Sequence, residues 1–360
     1  MKVALLGDVC FNGRFSPDAE GIDERIKEVA EYLHDYDVVI ANLETPLCGG
    51  LKKNGYKSVH ISSIEKSVKL LSKLNVTAVC LANNHIMDYG DEGVRQTITC
   101  LDSVGIDYFG VNGRAYSVGN IMVHGYCAFD TTPNFLWPWN KFRVDLADFT
   151  KVLRAVRGYR DSGYINIVSM HAGLENVDYP SGSLIRFVRL MLKESRVIFH
   201  GHHPHVIQGV EQIDGSLAAY SMGNFCFDDL YSDDGKIVVR QLEVNKQSFI
   251  LGLEIDQSGI VSYECVGLSF LGKRLVLNSR SAKERLDRLS HELKIKSRKD
   301  IDVERKVQLA EVSRRRLKTR NSLWYLRRLT LRSVALVGQK LIYRYFQRRN
   351  FRRFEAFIKE

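Results

Sequence analysis

The apolar run Val197-Ile198-Phe199 leads straight into His200-Gly201-His202-His203-Pro204-His205. Such a run reads as the end of a buried strand. Gly201 and Pro204 break it, so the histidines fall on a strand-end loop. Four of the chain's ten histidines lie within these six residues. Imidazole is the commonest metal-binding side chain near neutral pH, and the rigid Pro204 allows His203 and His205 to face one cation. A His-rich polar surface loop is the competing reading. A fold that presents this tip as a metal site must bring the remaining ligands from elsewhere in the chain.

Other strand tips offer them. Residues 2–6 form a short apolar strand that delivers Gly7-Asp8, and residues 37–41 form a second that runs into Asn42-Leu43-Glu44. Residues 76–81 are followed by Asn83-Asn84-His85, with Asp88 spaced to accept the second ring hydrogen bond of His85 and orient it. Residues 164–170 end in His171. In open α/β sheets the functional crevice lies outside the carboxyl ends of the strands. The tips therefore gather Asp8, Glu44, Asn84, His85, His171, His203 and His205. A mixed Asp/Glu/Asn/His set suits divalent Mn, Fe or Zn. It is too large for one tetrahedral zinc and fits two divalent metal ions about 3.5–4 Å apart, with Asp8 or Glu44 able to bridge them.

Between the strands, helical spacing of apolar residues predicts helices over 21–35, 62–74, 91–103, 144–159 and 183–194. Further strands are expected over 106–111, 121–129, 216–225, 237–244, 248–255 and 260–267. The aromatic stretch 132–139 reads as a lid, a substrate wall or surface packing.

The 360 residues suffice for a large core. Seven scattered cysteines without a CxxC pair read as small core residues in a reducing compartment. The N-terminal apolar run is too short for a signal peptide, and no apolar run of about 18 residues is present to span a membrane. The expected location is cytoplasmic, or peripheral on the inner membrane face. The net charge of +10 is unevenly spread: residues 271–360 carry 27 Lys+Arg and 9 Asp+Glu, whereas 1–270 carry 25 and 33. This predicts a mildly acidic body, 1–270, and a basic, mainly helical tail, 271–360. Basic and aromatic residues interleaved on a helix suit an anionic membrane surface or an acidic partner. No nucleic-acid motif accompanies the charge, so nucleic acid is disfavoured as a partner.

Gly7-Asp8-Val9, Asn42-Leu43-Glu44-Thr45-Pro46, Asn83-Asn84-His85-Ile86-Met87-Asp88-Tyr89-Gly90, His171-x-Gly173-x-Glu175, Gly201-His202-His203-Pro204-His205-Val206-x-Gln208 and Tyr220-Ser221-Met222-Gly223-Asn224-Phe225 together resemble the CapA family of capsule and poly-γ-glutamate biosynthesis. That family is similar in fold to the calcineurin-like metallophosphatases. The resemblance implies an α/β fold, a four-layer α/β/β/α sandwich, and a role in making or exporting an anionic capsule polymer or polysaccharide.

It also implies roles. Asp8 would bind one metal, Glu44 would bridge and Asn84 would bind the other. His171 and two of His202, His203 and His205 would complete the shells. His85, oriented by Asp88, would be the general acid or the clamp on a substrate oxygen. The implied chemistry is hydrolysis of a phosphoester, or of an amide such as a γ-glutamyl bond, in an anionic polymer or phosphorylated substrate. A silent scaffold for a membrane-bound synthase or exporter is the alternative. Two positions depart from the pattern. Cys10 stands where the phosphatases have a histidine ligand, which implies one ligand fewer. Ala172 stands where the family usually has Trp, which alters the pocket wall.

Overall fold

The structure is a computed structural model describing residues 1–54, 59–128, 131, 140–194, 196–231, 235–319, 331–357 and 359. The aromatic stretch 132–139 and the segment 320–330 of the tail lie outside the described residues.

An eight-stranded sheet is built on parallel β1 (Lys2–Cys10), β2 (Val38–Leu43), β3 (Ala78–Cys80) and β4 (Asp107–Phe109). Antiparallel β14 (Gln247–Ile255), β15 (Ile260–Leu271) and β16 (Arg274–Val276) extend it past residue 270, and β11 (Asn224–Phe227) pairs with the end of β1. A six-stranded sheet has the order β5 (Tyr116–Val118), β6 (Ile121–Cys127), β7 (Ile165–His171), β8 (Val197–His202), β10 (Ser216–Ala219), β9 (Val210–Ile213). A small ribbon joins β12 (Leu230–Tyr231) to β13 (Ile237–Val239).

β1 and β8 meet where the two sheets face each other. Their strands are apolar on both sides: Val3 to Leu6 and Val197 to Phe199 are fully buried. Such strands need cover on each face. Against the first sheet pack α1 (Ile22–Leu33), α3 (Gly90–Asp102) and α6 (Arg280–Ile295), the last also reaching β9 of the second, and α2 (Val68–Lys73) buries Leu70 and Leu71 in the same core. On the outer side of the second lie α4 (Phe149–Asp161) and α5 (Gly182–Leu192). This is the expected four-layer α/β/β/α sandwich.

Several elements differ from the sequence reading. Residues 216–225 do not form one strand: β10 ends at Ala219, and the chain crosses to the other sheet as β11. Gly223 makes the turn with φ 76° and accepts a hydrogen bond from the Asp8 N–H at 3.0 Å. Gly7 makes this crossing possible, because a Cβ there would stand 2.1 Å from the Gly223 oxygen. The helix expected from 144 begins at Phe149, where Asp148 caps the Lys151 N–H. Val144 and Leu146 instead bridge to Val111 and Cys127. The helix expected from 62 begins at Val68, because Ser63 bridges to Leu47. The strand expected over 237–244 stops at Val239, as Asn245 accepts the Leu242 N–H and closes a turn.

The basic tail packs on the body. Leu286, Leu289 and Leu293 of α6 are buried in the main core, each contributing about 1.5–3 kcal/mol of apolar burial. α7 (Arg298–Thr319) adds Ile301 to it. The last helix, α8 (Leu331–Phe357), is held by its C-terminal half. Phe354 sits edge-on to Phe149 and Phe187, Asn350 accepts the Phe149 N–H at 3.0 Å, and Glu355 pairs with Arg186.

Candidate metal centre

The parallel strands of both sheets end on one side of the sandwich, and their tips meet across the seam. β1 brings Asp8, in register with Asn42 on β2 and Asn224 on β11, with register shifts on both sides of it. Irregularities of this kind re-aim side chains beside active sites. Glu44 follows β2, and Asn84 and His85 follow β3. β7 ends on His171, which is paired in register with His202 on β8. His203 and His205 hold φ of 100° and 58° on either side of Pro204. Non-glycine residues in that region are uncommon and concentrate at functional sites. Gly201 is required at the base of this loop, since a Cβ there would lie 2.1 Å from the Tyr220 oxygen.

Two ligand groups result. Asp8, His171 and His202 form one; Glu44, His203 and His205 form the other. Within each, the donor atoms lie within 4.8 Å of one another. The groups interlock. His171 Nδ1 is 3.0 Å from His202 Nδ1, and its Nε2 is 2.9 Å from His203 Nδ1, 2.8 Å from Asn84 Oδ1 and 3.4 Å from Glu44 Oε1. His205 Nδ1 is 3.4 Å from Asp8 Oδ2, and its Nε2 is 3.8 Å from Glu44 Oε1. Thus Asp8, Glu44, Asn84, His171, His202, His203 and His205 converge on one place.

Asp8, Glu44, His171 and His202 have no solvent exposure. Burial pushes the Asp8 carboxyl up, opposed by His205 and the Asn42 hydrogen bond. Burial, then the neighbouring imidazoles, push the His171 ring well down, and burial does the same to His202. Neutral imidazole nitrogens and carboxylate oxygens packed this tightly are the donor chemistry of a divalent-metal site. A divalent cation would stabilise the ionised carboxylates against the cost of their burial.

His85 and Asp88 form a buried pair outside both ligand groups. Asp88 Oδ2 accepts from His85 Nδ1 at 2.7 Å and from the Ile61 N–H at 2.9 Å. The carboxylate thereby fixes the ring and assigns Nε2 to any exchange of protons. Cys10 packs with Ile61, Phe227 and Leu230. Burial pushes its thiol up to about 12, so it is a neutral thiol.

Sequence reasoning left several supporting residues without a role. Asn42 donates to Asp8 Oδ1 at 2.7 Å. Asn83 Oδ1 accepts the His85 and Ile86 N–H groups, shaping the loop that carries Asn84 and His85. Asn224 Oδ1 lies 2.8 Å from His205 Nδ1. Asn42 and Asn83 adjoin Glu44 and Asn84 in the motifs, and that adjacency was their only signal.

The family model described as "Bacterial capsule synthesis protein PGA_cap" matches residues 2–229. The chain is 31% identical over 251 residues to "Capsule biosynthesis protein CapA" of Bacillus anthracis, covering 63% of this chain and 60% of that one. It is 29% identical over 251 residues to "PGA biosynthesis protein CapA" of Bacillus subtilis, covering 63% of each. A "Probable polyglutamine synthesis accessory protein" of Mycobacterium tuberculosis is 26% identical over 211 residues, covering 52% of this chain and 55% of that one. The matched regions thus span about three-fifths of the Bacillus relatives. Among solved structures, a hypothetical protein from Thermus thermophilus matches with TM-score 0.44 and 15% identity over 75% of this chain and 99% of that one. A putative 5'-nucleotidase from Staphylococcus aureus matches with TM-score 0.41 and 13% identity, over 81% and 58%. With the family model matching more than half of its length, the chain belongs to the bacterial capsule synthesis protein family, PGA_cap.

Proposed function

We propose that this protein is a divalent-metal-dependent hydrolase acting on an anionic polymer of the poly-γ-glutamate or capsule type. The observation that carries this reading is the interlocking of the two ligand groups through His171. Asp8, His171 and His202 would hold one ion, and Glu44, His203 and His205 the other, with Asn84 beside His171. When bound, such ions polarise a phosphoryl or carbonyl oxygen and activate water near neutral pH. The chain's own part is to orient and to move a proton. Asp88 holds Nδ1 of His85, and in the imidazolium form Nε2 carries the proton given to the departing oxygen. The names of the relatives favour a γ-glutamyl or related polymer bond as the target, and the donor set serves a phosphoester equally well.

The tail supports a place at an anionic membrane surface. No helix among the described residues is long and apolar enough to cross a membrane. Residues 313–354 contain 14 Lys+Arg and no Asp or Glu. On α8, Tyr343, Asn350 and Phe354 face the body, while Val334, Val337, Leu341 and Tyr345 are each about 60% exposed along the opposite side. Arg344, Arg348, Arg349 and Arg352 are exposed beside them. An apolar stripe with arginines suits the headgroup boundary of anionic lipid.

The accessory role named for the mycobacterial relative supports a second reading, a scaffold without turnover. The full chain supplied with Mn, Fe or Zn should release product from poly-γ-glutamate or a phosphoester, and His85→Asn should do so about 10²–10⁴-fold more slowly. Metal uptake without hydrolysis of either class would leave the scaffold.

A further inference from the structure

Ser169 is a fully buried hydroxyl on β7 that meets two imidazoles. Its Oγ lies 3.1 Å from His200 Nδ1 and 2.8 Å from His202 Nε2. His200, on β8, reaches across the seam between the sheets, and its Nε2 is 2.7 Å from the carbonyl oxygen of Leu6 on β1. His200 is not in either ligand group, yet it is fully buried and tied to one that is.

A carbonyl oxygen only accepts, so His200 Nε2 carries a hydrogen. His200 is wholly buried, and among the described residues no carboxylate is hydrogen-bonded to it. An imidazole in that setting is neutral. Its Nδ1 therefore has no hydrogen and accepts the Ser169 hydroxyl. A hydroxyl has a single hydrogen, so toward His202 the Ser169 oxygen can only accept. His202 Nε2 must then be the donor. Being a buried neutral imidazole too, His202 has a bare Nδ1. That atom is the one 3.0 Å from His171 Nδ1 and 4.0 Å from Asp8 Oδ1.

We infer that the Leu6 carbonyl, His200 and Ser169 form a directed hydrogen-bond chain that locks His202 in its Nε2–H tautomer and presents Nδ1 to the Asp8–His171 ligand group. His200 and Ser169 are positioning residues, acting through His202. Tying a ligand's second ring nitrogen in this way fixes its orientation, and loss of such a partner typically costs about 10–100-fold in metal affinity. The chain also joins β1 to β7 and β8, so the frame that carries Asp8 is coupled to the frame that carries His171 and His202.

The tautomer is a property of the metal-free full chain, whereas the affinity effect rests on the proposed metal centre. The two are therefore measured separately. Long-range 1H–15N NMR of the imidazoles in metal-free protein should show His202 protonated at Nε2, assigned with His202→Gln. Zinc affinity by chelator competition should fall about 10–100-fold in Ser169→Ala and in His200→Phe. Ser169→Thr, which keeps the hydroxyl, should restore both the tautomer signal and the affinity. His202 protonated at Nδ1 would overturn the inference, as would wild-type zinc affinity in Ser169→Ala. A wild-type chain that took up no zinc yet showed the Nε2–H signal would overturn the metal centre and leave the chain of hydrogen bonds standing.

Discussion

His171 Nε2 lies 3.4 Å from Glu44 Oε1, with both side chains fully buried. The two residues come from different sheets, one following β2 and the other closing β7. The site is thus a seam, and each half supplies ligands that the other lacks. Glu44→Gln keeps size and shape but removes the charge. It should leave the far-UV circular dichroism unchanged and lower Mn or Zn affinity by at least about tenfold, as read by chelator competition.

His85 is held by Asp88 outside both ligand groups, and the proposed function gives it the proton transfer. His85→Asn should retain the wild-type metal content while kcat on any hydrolysed substrate drops by about 10²–10⁴-fold. Asp88→Asn leaves the ring near its place with a weaker partner, and should give a smaller loss. Equal loss of metal in His85→Asn would move this residue into the ligand shell.

The acid limb of stability should carry the mark of a buried histidine outside both ligand groups. His124 stacks near Tyr126 and Tyr159 and hydrogen-bonds Asn166, and burial pushes its ring down to about 4. The unfolded ring titrates near 6.5. Between these values the unfolded chain binds a proton that the folded chain does not. Stability is therefore full above pH 6.5 and is lost as pH falls toward 4, by up to about 3 kcal/mol for this group. His200, also pushed down to about 4, adds a loss of the same sign. Urea midpoints measured from pH 7 to 4 should fall less steeply in His124→Gln than in the wild type.

Much of this architecture is legible in the residues. The strands that lead to Asp8, Glu44, His85, His171 and His202 are largely apolar, and a polar residue after such a run has few places to be except the sheet edge. The helix starts were harder. Val144 and Ser63 look helical by spacing, but isolated β-bridges to Val111 and Leu47 hold them extended. The passage from β10 to β11 reads as one strand because its hydrophobicity never drops. Only the close approach of Gly7 and Gly223 shows that the chain changes sheets there. Ser169 and His200 carried no signal as partners. They are 31 residues apart in the chain, and their contact exists only because β7 and β8 pair in that register.

The exposed stripe on α8 should govern attachment to lipid. Full-length protein should sediment with vesicles containing phosphatidylglycerol and not with pure phosphatidylcholine. Val337→Asp with Leu341→Asp should abolish that binding even at low salt. Arg348→Gln with Arg352→Gln should weaken it by about 2 kcal/mol, at roughly 1 kcal/mol per basic residue near the surface. Binding to free polyglutamate that survives the aspartate changes would assign the surface to polymer instead.

The central claim is the metal centre, and elemental analysis tests it most directly. Full-length protein purified without a His tag would be measured beside Asp8→Asn/His203→Ala, which removes one ligand from each group. The account predicts two equivalents of Mn, Fe or Zn per wild-type chain and their loss in the double variant. A wild-type chain that is metal-free, and stays so when offered each of these ions, would contradict it.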